Sequence, residues 1–162
     1  MKLYEMNRIG KNLALVAFLV VAVLASGFKM PAKYSADAIV GTWWNQEKTS
    51  KIEVYKKGNE YQGKVVWLKN EFEDGSDTQP NLDDKNPDES LQKREIMGLV
   101  ILTGLVWDDD EWDDGSIYDP KKGETYSCYA EFEDEDDLNT LKLRGYIGIS
   151  LIGRTSYWTR VQ

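Results

Sequence analysis

Residues 141–161 constrain the fold of this chain more than any other stretch. Their side chains alternate with a period of two residues, and two glycine-marked breaks divide them into pieces of strand length. This rhythm is typical of β-strands that pack one face against a core. The stretch therefore predicts the closing ribbon of an all-β fold, and residues 39–44 are its expected partner strand.

The same rhythm runs through most of the chain before that ribbon, except in 70–95, where turn formers predict a long loop. No segment has a helical period long enough for a crossover between parallel strands. We therefore predict a sandwich or closed barrel of eight or nine short antiparallel strands. The strands expected before the ribbon are residues 39–46, 50–55, 61–69 and 97–106, a short strand within 115–123, and 124–132, where Tyr126, Cys128, Ala130 and Phe132 share the core face.

The first residues have the pattern of a secretory signal peptide. Lys2, Arg8 and Lys11 form a basic start, residues 13–25 are apolar, and small residues follow at the expected cleavage point. The apolar run is shorter than the roughly 20 residues of a spanning helix, which favours cleavage over an uncleaved anchor. We expect a signal peptide over 1–25, a flexible leader over 26–38 and one β-barrel domain over 39–162, in a secreted, periplasmic protein.

Charge and composition narrow the possible functions. The net charge of −8 disfavours nucleic acid and anionic membrane surfaces as partners, and we expect no stable membrane insertion after cleavage. The chain contains no histidine, which removes Ser-His-Asp and Cys-His catalysis and histidine metal sites. Its single cysteine, Cys128, cannot form an internal disulfide, and we expect it to be a buried structural thiol. No cofactor is predicted.

Two acidic segments, 71–88 and 108–114, raise the question of calcium. Aligning the EF-hand glycine on Gly115 puts Trp112 in the third ligand position, and aligning it on Gly75 puts Phe72 there, so neither fits. We favour solvated charge runs and predict no metal site. A looser calcium site in 108–114 stays open as an alternative.

The aromatic residues allow two interpretations. Six tryptophans and nine tyrosines form the core and rims of a barrel, which we favour for Trp43 and Trp158, or they line a pocket for a small, partly apolar ligand. In the second case, Arg144 and Arg154 are candidates to hold an anionic head group, although strand arginines more often face outward or pair with carboxylates.

Two sets of motifs carry a family resemblance. Gly41-Thr42-Trp43 with Arg160 resembles the calycin pattern of lipocalins and fatty-acid-binding proteins, in which an arginine of the last strand packs on that tryptophan. Longer segments resemble a secreted bacterial family, domain of unknown function 2147: Asp83-Asp84-Lys85-Asn86-Pro87-Asp88, and residues 91–99, 115–126, 143–148 and 153–161. The resemblance implies a signal peptide and a calycin-like barrel without an established activity. The chain departs from the pattern at Glu95, where proline is common, and in the acidic patch 108–111.

The polar residues in these segments are the candidate ligand-binding residues; none is predicted to be catalytic, and Trp43 and Arg160 are assigned structural roles. The leading hypothesis is a non-enzymatic domain that binds a small, partly apolar molecule. The second is an envelope interaction module whose acidic loops contact a protein partner or calcium. The third and least favoured is an enzyme, which would require Asp83, Asn86, Arg94, Tyr118, Asp119 and Arg144 to converge on one pocket. The ligand-binding candidates are Asp83, Asn86, Arg94, Tyr118, Asp119, Tyr126, Arg144, Tyr146 and Arg154.

Overall fold

A computed structural model of the chain, which describes residues 34–70 and 80–162, shows a closed barrel of eight strands. Neighbouring strands are antiparallel, and the last strand pairs with the first. The predicted all-β, antiparallel barrel is therefore confirmed. The strands are β1 Gly41–Trp44, β2 Ser50–Lys57, β3 Glu60–Leu68, β4 Val100–Asp108, β5 Glu111–Asp119, β6 Glu124–Asp134, β7 Asp137–Tyr146 and β8 Gly153–Arg160, with 3₁₀ helices at Ala36–Ile39 and Glu89–Leu91. The predicted signal peptide, leader residues 26–33 and loop residues 71–79 lie outside the described residues.

The up-and-down connectivity gives the barrel two different ends. The turns β2–β3, β4–β5 and β6–β7 lie at one end, which also carries the Ala36–Ile39 helix, and we call it the capped end. The connections β1–β2, β3–β4, β5–β6 and β7–β8 lie at the other, which we call the open end.

Aromatic side chains fill the capped end. Trp112 is fully buried, and its indole N–H donates to the carbonyl of Ala36 at 2.9 Å. Tyr34 packs against Trp112 and Phe132, with ring centroids 5.8 and 4.7 Å apart. The structure thus differs from the predicted leader over residues 34–38, which are packed onto the barrel. A single 3₁₀ turn has no repeating pattern that a sequence could display.

The β1–β8 junction closes the barrel through Arg160. Its guanidinium lies 4.1 Å from the ring centroid of Trp43 and donates to the carbonyls of Ala38, Val40 and Leu138. Gly41 has a φ of 141°, and a Cβ there would lie 2.7 Å from Arg160 Nη1. This close approach explains why glycine stands two residues before the tryptophan, as in the calycin pattern.

Two segments differ from their predicted form. Residues 108–114, expected to be a solvated acidic patch, instead form the end of β4, a tight turn and the start of β5, with Trp112 inside the barrel. The closing ribbon is interrupted by residues 147–152, an exposed connection between β7 and β8. Its aliphatic residues resemble a strand in sequence, but no neighbouring strand pairs with them in the described part of the chain.

Candidate functional site

All nine candidate residues lie in or beside the open-end connections, but the structure divides them into separate groups. One group sits outside the barrel wall, beneath the β3–β4 connection. A second lies at the barrel mouth, and a third holds the β7–β8 connection. The convergence on one pocket that the enzyme hypothesis required is therefore limited to the first group, Asp83, Asn86, Arg94 and Tyr118.

Asp83 is the centre of the first group, and its side chain is fully buried. The Tyr118 hydroxyl donates to its Oδ1 at 2.5 Å, and the Asn86 amide donates to its Oδ2 at 2.8 Å. Arg94 donates to Oδ2 from both Nε and Nη2, each at 2.8 Å. A buried carboxylate is tolerated when it is paired and hydrogen-bonded in this way.

Other polar atoms of this group are hydrogen-bonded as well. The Asn86 amide nitrogen also donates to the Tyr118 oxygen, and its Oδ1 accepts from the backbone N–H of Asp88. The backbone N–H of Asp83 donates to the carbonyl of Arg94, which ties the two sides of the loop together. Burial, followed by the bond to Asp83, raises the pKa of Tyr118. The group is a hydrogen-bonded network centred on a buried carboxylate, and it anchors residues 80–96 to the outer face of β5.

The β5–β6 turn packs against that anchored loop. The carboxylate of Asp119 accepts a hydrogen bond from the backbone N–H of Lys121, which identifies Asp119 as a turn-forming residue. At Gly123, where φ is 70°, a Cβ would lie 1.8 Å from the carbonyl oxygen of Lys85. The close approach of the two backbones requires glycine.

The mouth of the barrel is lined by residues of β5 to β8 that face inward and remain partly exposed. Cys128, Leu143 and Trp158 are buried, so alternation turns Tyr126, Gly145 and Ser156 to the same interior face. Ile117 also faces inward, because its Cγ2 lies 3.6 Å from the position of a Cβ on Gly145. The lining residues are small or only partly buried: Ile117, Tyr126, Gly145 and Ser156.

Two of the predicted residues, Tyr126 and Arg154, belong to this mouth. The Tyr126 hydroxyl donates to Glu124 and accepts from Lys122, and the bond to Glu124 raises the pKa of Tyr126. Arg154 pairs with Gly145 in the β7–β8 ladder, its side chain is 79% exposed, and its only described ion pair is with Glu47 at 3.7 Å. The rim therefore offers a phenol and an exposed cation above an apolar floor.

Arg144 and Tyr146 face outward by the same alternation. Arg144 donates to the carbonyls of Ser150 and Leu151 and to Thr155 Oγ1, so it holds the β7–β8 connection. Burial raises the pKa of Tyr146. Neither residue faces the mouth.

Other chemistry at the described residues is limited. Burial, with a smaller contribution from Asp113, raises the pKa of Cys128 to about 12, so its thiol stays protonated near neutrality. Across residues 34–70 and 80–162, no group of three or more His, Cys, Asp or Glu side chains is arranged to hold a metal ion. No helix in the same residues is long and apolar enough to cross a membrane.

Sequence reasoning did not identify Ile117, Gly145 and Ser156 as mouth residues. Small and aliphatic side chains carry no chemical signature. Their position is marked only by alternation with core residues: Ser156 stands two residues before Trp158, and Gly145 two after Leu143.

Comparison with known proteins agrees with this fold. The family model described as "Uncharacterized protein conserved in bacteria (DUF2147)" matches residues 41–160. Among solved structures, protein HP1028 from Helicobacter pylori, which belongs to the lipocalin family, is similar with a TM-score of 0.63 and 22% identity, over 76% of this chain and 83% of that one. No curated protein matches the chain.

Proposed function

The chain belongs to the bacterial family of uncharacterised proteins DUF2147, and we propose that it is a non-enzymatic domain that binds a small, partly apolar molecule in the open end of its barrel. A lipocalin-like fold supports ligand binding as a class of function. The observation that carries the proposal is the difference in filling along the barrel axis. Buried aromatic rings occupy the capped end, whereas the inward-facing residues of the mouth, which include Gly145 and Ser156, are only partly buried.

The mouth suggests the chemistry of the ligand. Ile117 and the floor beneath it would contact an apolar body, and the Tyr126 oxygen, whose O–H donates to Glu124, would accept one hydrogen bond. Arg154 would attract an anionic group, because its weak contact with Glu47 leaves the guanidinium largely solvated. The proposed ligand is therefore an apolar molecule with a single anionic or polar head.

A titration of the protein with an environment-sensitive apolar dye and with fatty acids tests this proposal. Ser156→Trp should fill the mouth and weaken binding by at least about tenfold, because the indole takes the volume of the ligand. Gly145→Val is a second mouth variant, since a Cβ there meets only ordinary contacts at 3.6 Å.

Tyr157→Trp is the matched control, because Tyr157 neighbours Ser156 but faces outward and is 39% exposed. It should leave affinity unchanged. Thermal melts of every variant separate a filled mouth from a damaged fold. If the wild-type protein binds neither the dye nor any fatty acid, or if folded Ser156→Trp and Gly145→Val bind as well as wild type, the proposal is wrong.

A second candidate is an interaction module that uses the acidic capped end. Burial and the neighbouring carboxylates Asp113, Glu131, Asp110 and Asp108 raise the pKa of Glu111, which reflects crowded negative charge. A basic protein partner would relieve that crowding. Thermal melts with millimolar calcium and cross-linking in cell envelopes discriminate this candidate: an unchanged melting temperature together with no cross-linked partner would remove it.

Export to the periplasm is part of the proposal and rests on the basic start and the apolar run of residues 13–25. Cell fractionation followed by N-terminal sequencing tests it. The expected product lies in the periplasmic fraction and begins near residue 26. An intact N-terminus in the cytosol would contradict it.

A further inference from the structure

The β7–β8 connection, residues 147–152, exposes more apolar surface than any other described part of the chain. Ile147, Ile149, Leu151 and Ile152 are 70%, 57%, 85% and 72% exposed. Single exposed aliphatic residues are ordinary in soluble proteins, but four within six positions form a contiguous apolar tip.

Part of the backbone of this tip is already hydrogen-bonded within the protein. Arg144 Nε donates to the carbonyl of Ser150 at 2.7 Å, and its Nη2 donates to the carbonyl of Leu151 at 3.3 Å. The N–H groups of Ile149 and Ile152 donate to the carbonyls of Ile147 and Ile149. Backbone groups that keep hydrogen-bond partners leave water at a lower cost, so these bonds reduce the cost of burying the tip.

Charge is distributed unevenly between the two ends. At the open end, exposed Arg154 stands two residues after the tip, and Lys121 and Lys122 stand on the adjacent β5–β6 turn, between Asp119 and Glu124. At the capped end, the turns β4–β5 and β6–β7 carry runs of carboxylates at 108–111 and 133–137. At physiological salt the capped end is farther from a surface touching the tip than the Debye length of about 8 Å, so the charged groups of the open end, and not those carboxylates, govern the contact.

From these observations we infer that the tip 147–152 docks the protein on an anionic phospholipid bilayer. The aliphatic side chains enter the headgroup and acyl boundary, and Arg154 with the two lysines contacts lipid phosphates. The acidic capped end then points away from the membrane, and the mouth faces it. The net negative charge of the chain, which by itself disfavours such a surface, is concentrated on the far side.

Flotation with phospholipid vesicles tests this inference. The protein used begins at residue 26, which keeps every described element and removes the apolar residues 13–25 from the measurement. Wild type should float with phosphatidylcholine vesicles that contain phosphatidylglycerol, and less with phosphatidylcholine alone. Leu151→Ser combined with Ile152→Ser should lower the partition coefficient by at least about tenfold, and Arg154→Gln should lower it several-fold.

Val106→Ser is the matched control, because Val106 is an exposed aliphatic residue of β4 near the capped end, 39% exposed. It should float like wild type. The inference is overturned if wild type fails to float with either vesicle, or if the double variant floats equally well. It is also overturned if sedimentation shows a dimer that the double variant abolishes, because the tip then binds a second copy of the chain. Retained dye affinity in the double variant would show that docking and the proposed ligand binding are separate properties.

Discussion

The capped end and the open end of the barrel share one topology but differ in how their polar groups are used. At the capped end, a short 3₁₀ helix lies over Trp43 and Trp112, and both indole N–H groups donate to carbonyls of that helix, those of Ile39 and Ala36. At the open end, one buried network anchors the β3–β4 connection outside the wall, and the residues that line the mouth itself are only partly buried. The aromatic packing of the barrel is therefore concentrated at the capped end, and the inward-facing residues of the open end stay accessible to other molecules.

The largest loss of stability is expected for Trp112→Ala. Trp112 is fully buried and contacts the rings of Tyr34, Trp107 and Phe132. Its loss should lower the free energy of unfolding by about 3–5 kcal/mol. Denaturant unfolding measures this, with Trp44→Ala as the outward-facing control, expected to cost about 1 kcal/mol. Equal losses of unfolding free energy in the two variants would show that the packing of the capped end contributes no more to stability than an outward-facing tryptophan.

The next largest effect is expected at Asp83. Asp83→Ala leaves Arg94, Asn86 and Tyr118 without their common acceptor, and should cost about 2–3 kcal/mol, because Arg94 is partly exposed and can recover hydration. Its neighbour Asp84 is exposed, with a surface pair to Lys85, so Asp84→Ala should cost less than about 0.5 kcal/mol.

The Asp83 comparison also tests whether the network is an anchor or a binding group. Dye affinity at the mouth should persist in folded Asp83→Ala, since the network lies outside the wall. Unchanged stability with lost dye affinity would place the functional site in the network instead.

Arg160→Ala should have an intermediate effect at the barrel junction. It removes three hydrogen bonds to backbone carbonyls and the contact with Trp43, a loss of about 1–2 kcal/mol in the free energy of unfolding. Arg154→Ala, at the rim of the open end, should leave stability within about 0.5 kcal/mol of wild type. A reversed order of the two arginines in thermal melts would contradict the division between the ends.

The smallest effect concerns acid stability at Asp37. Bonds from Lys56 and Tyr61 lower the pKa of Asp37 below its usual 3.8. A lowered pKa contributes stability that is present above the usual value and is lost as pH falls through the lowered one. Asp37→Asn should therefore be slightly less stable than wild type at neutral pH, and the two should converge in acid. Denaturant unfolding at several pH values checks this; a gap that widens toward low pH would be inconsistent with it.

Much of the fold was predictable because strands have a two-residue period. All eight observed strands overlap the predicted segments, although β5 begins at Glu111, within the expected acidic patch. The packing of Tyr34 and the 3₁₀ turn that follows it could not be predicted, because neither has a repeating sequence pattern. The sequence predicts residues 147–152 as part of the closing ribbon because an apolar run resembles a strand. Only the absence of a pairing strand among the described residues shows that they form a connection instead.

The candidate site was predictable in part. The resemblance selected Asp83, Asn86, Arg94 and Tyr118, which do meet, although they are separated in sequence by up to 35 residues. Their role as an anchor depends on the burial of Asp83, which the sequence alone does not reveal. The sequence did not identify Gly145 and Ser156 as mouth residues, because small side chains carry no chemical signature of a binding site.

The most direct test of the division between the ends is an amide chemical-shift titration of the protein with an environment-sensitive apolar dye. We predict that shifts concentrate at Ile117, Tyr126, Gly145 and Ser156, while Trp43, Trp112 and Phe132 stay unperturbed. Shifts centred on the capped end, or no shifts at saturating dye, would contradict ligand binding at the open end.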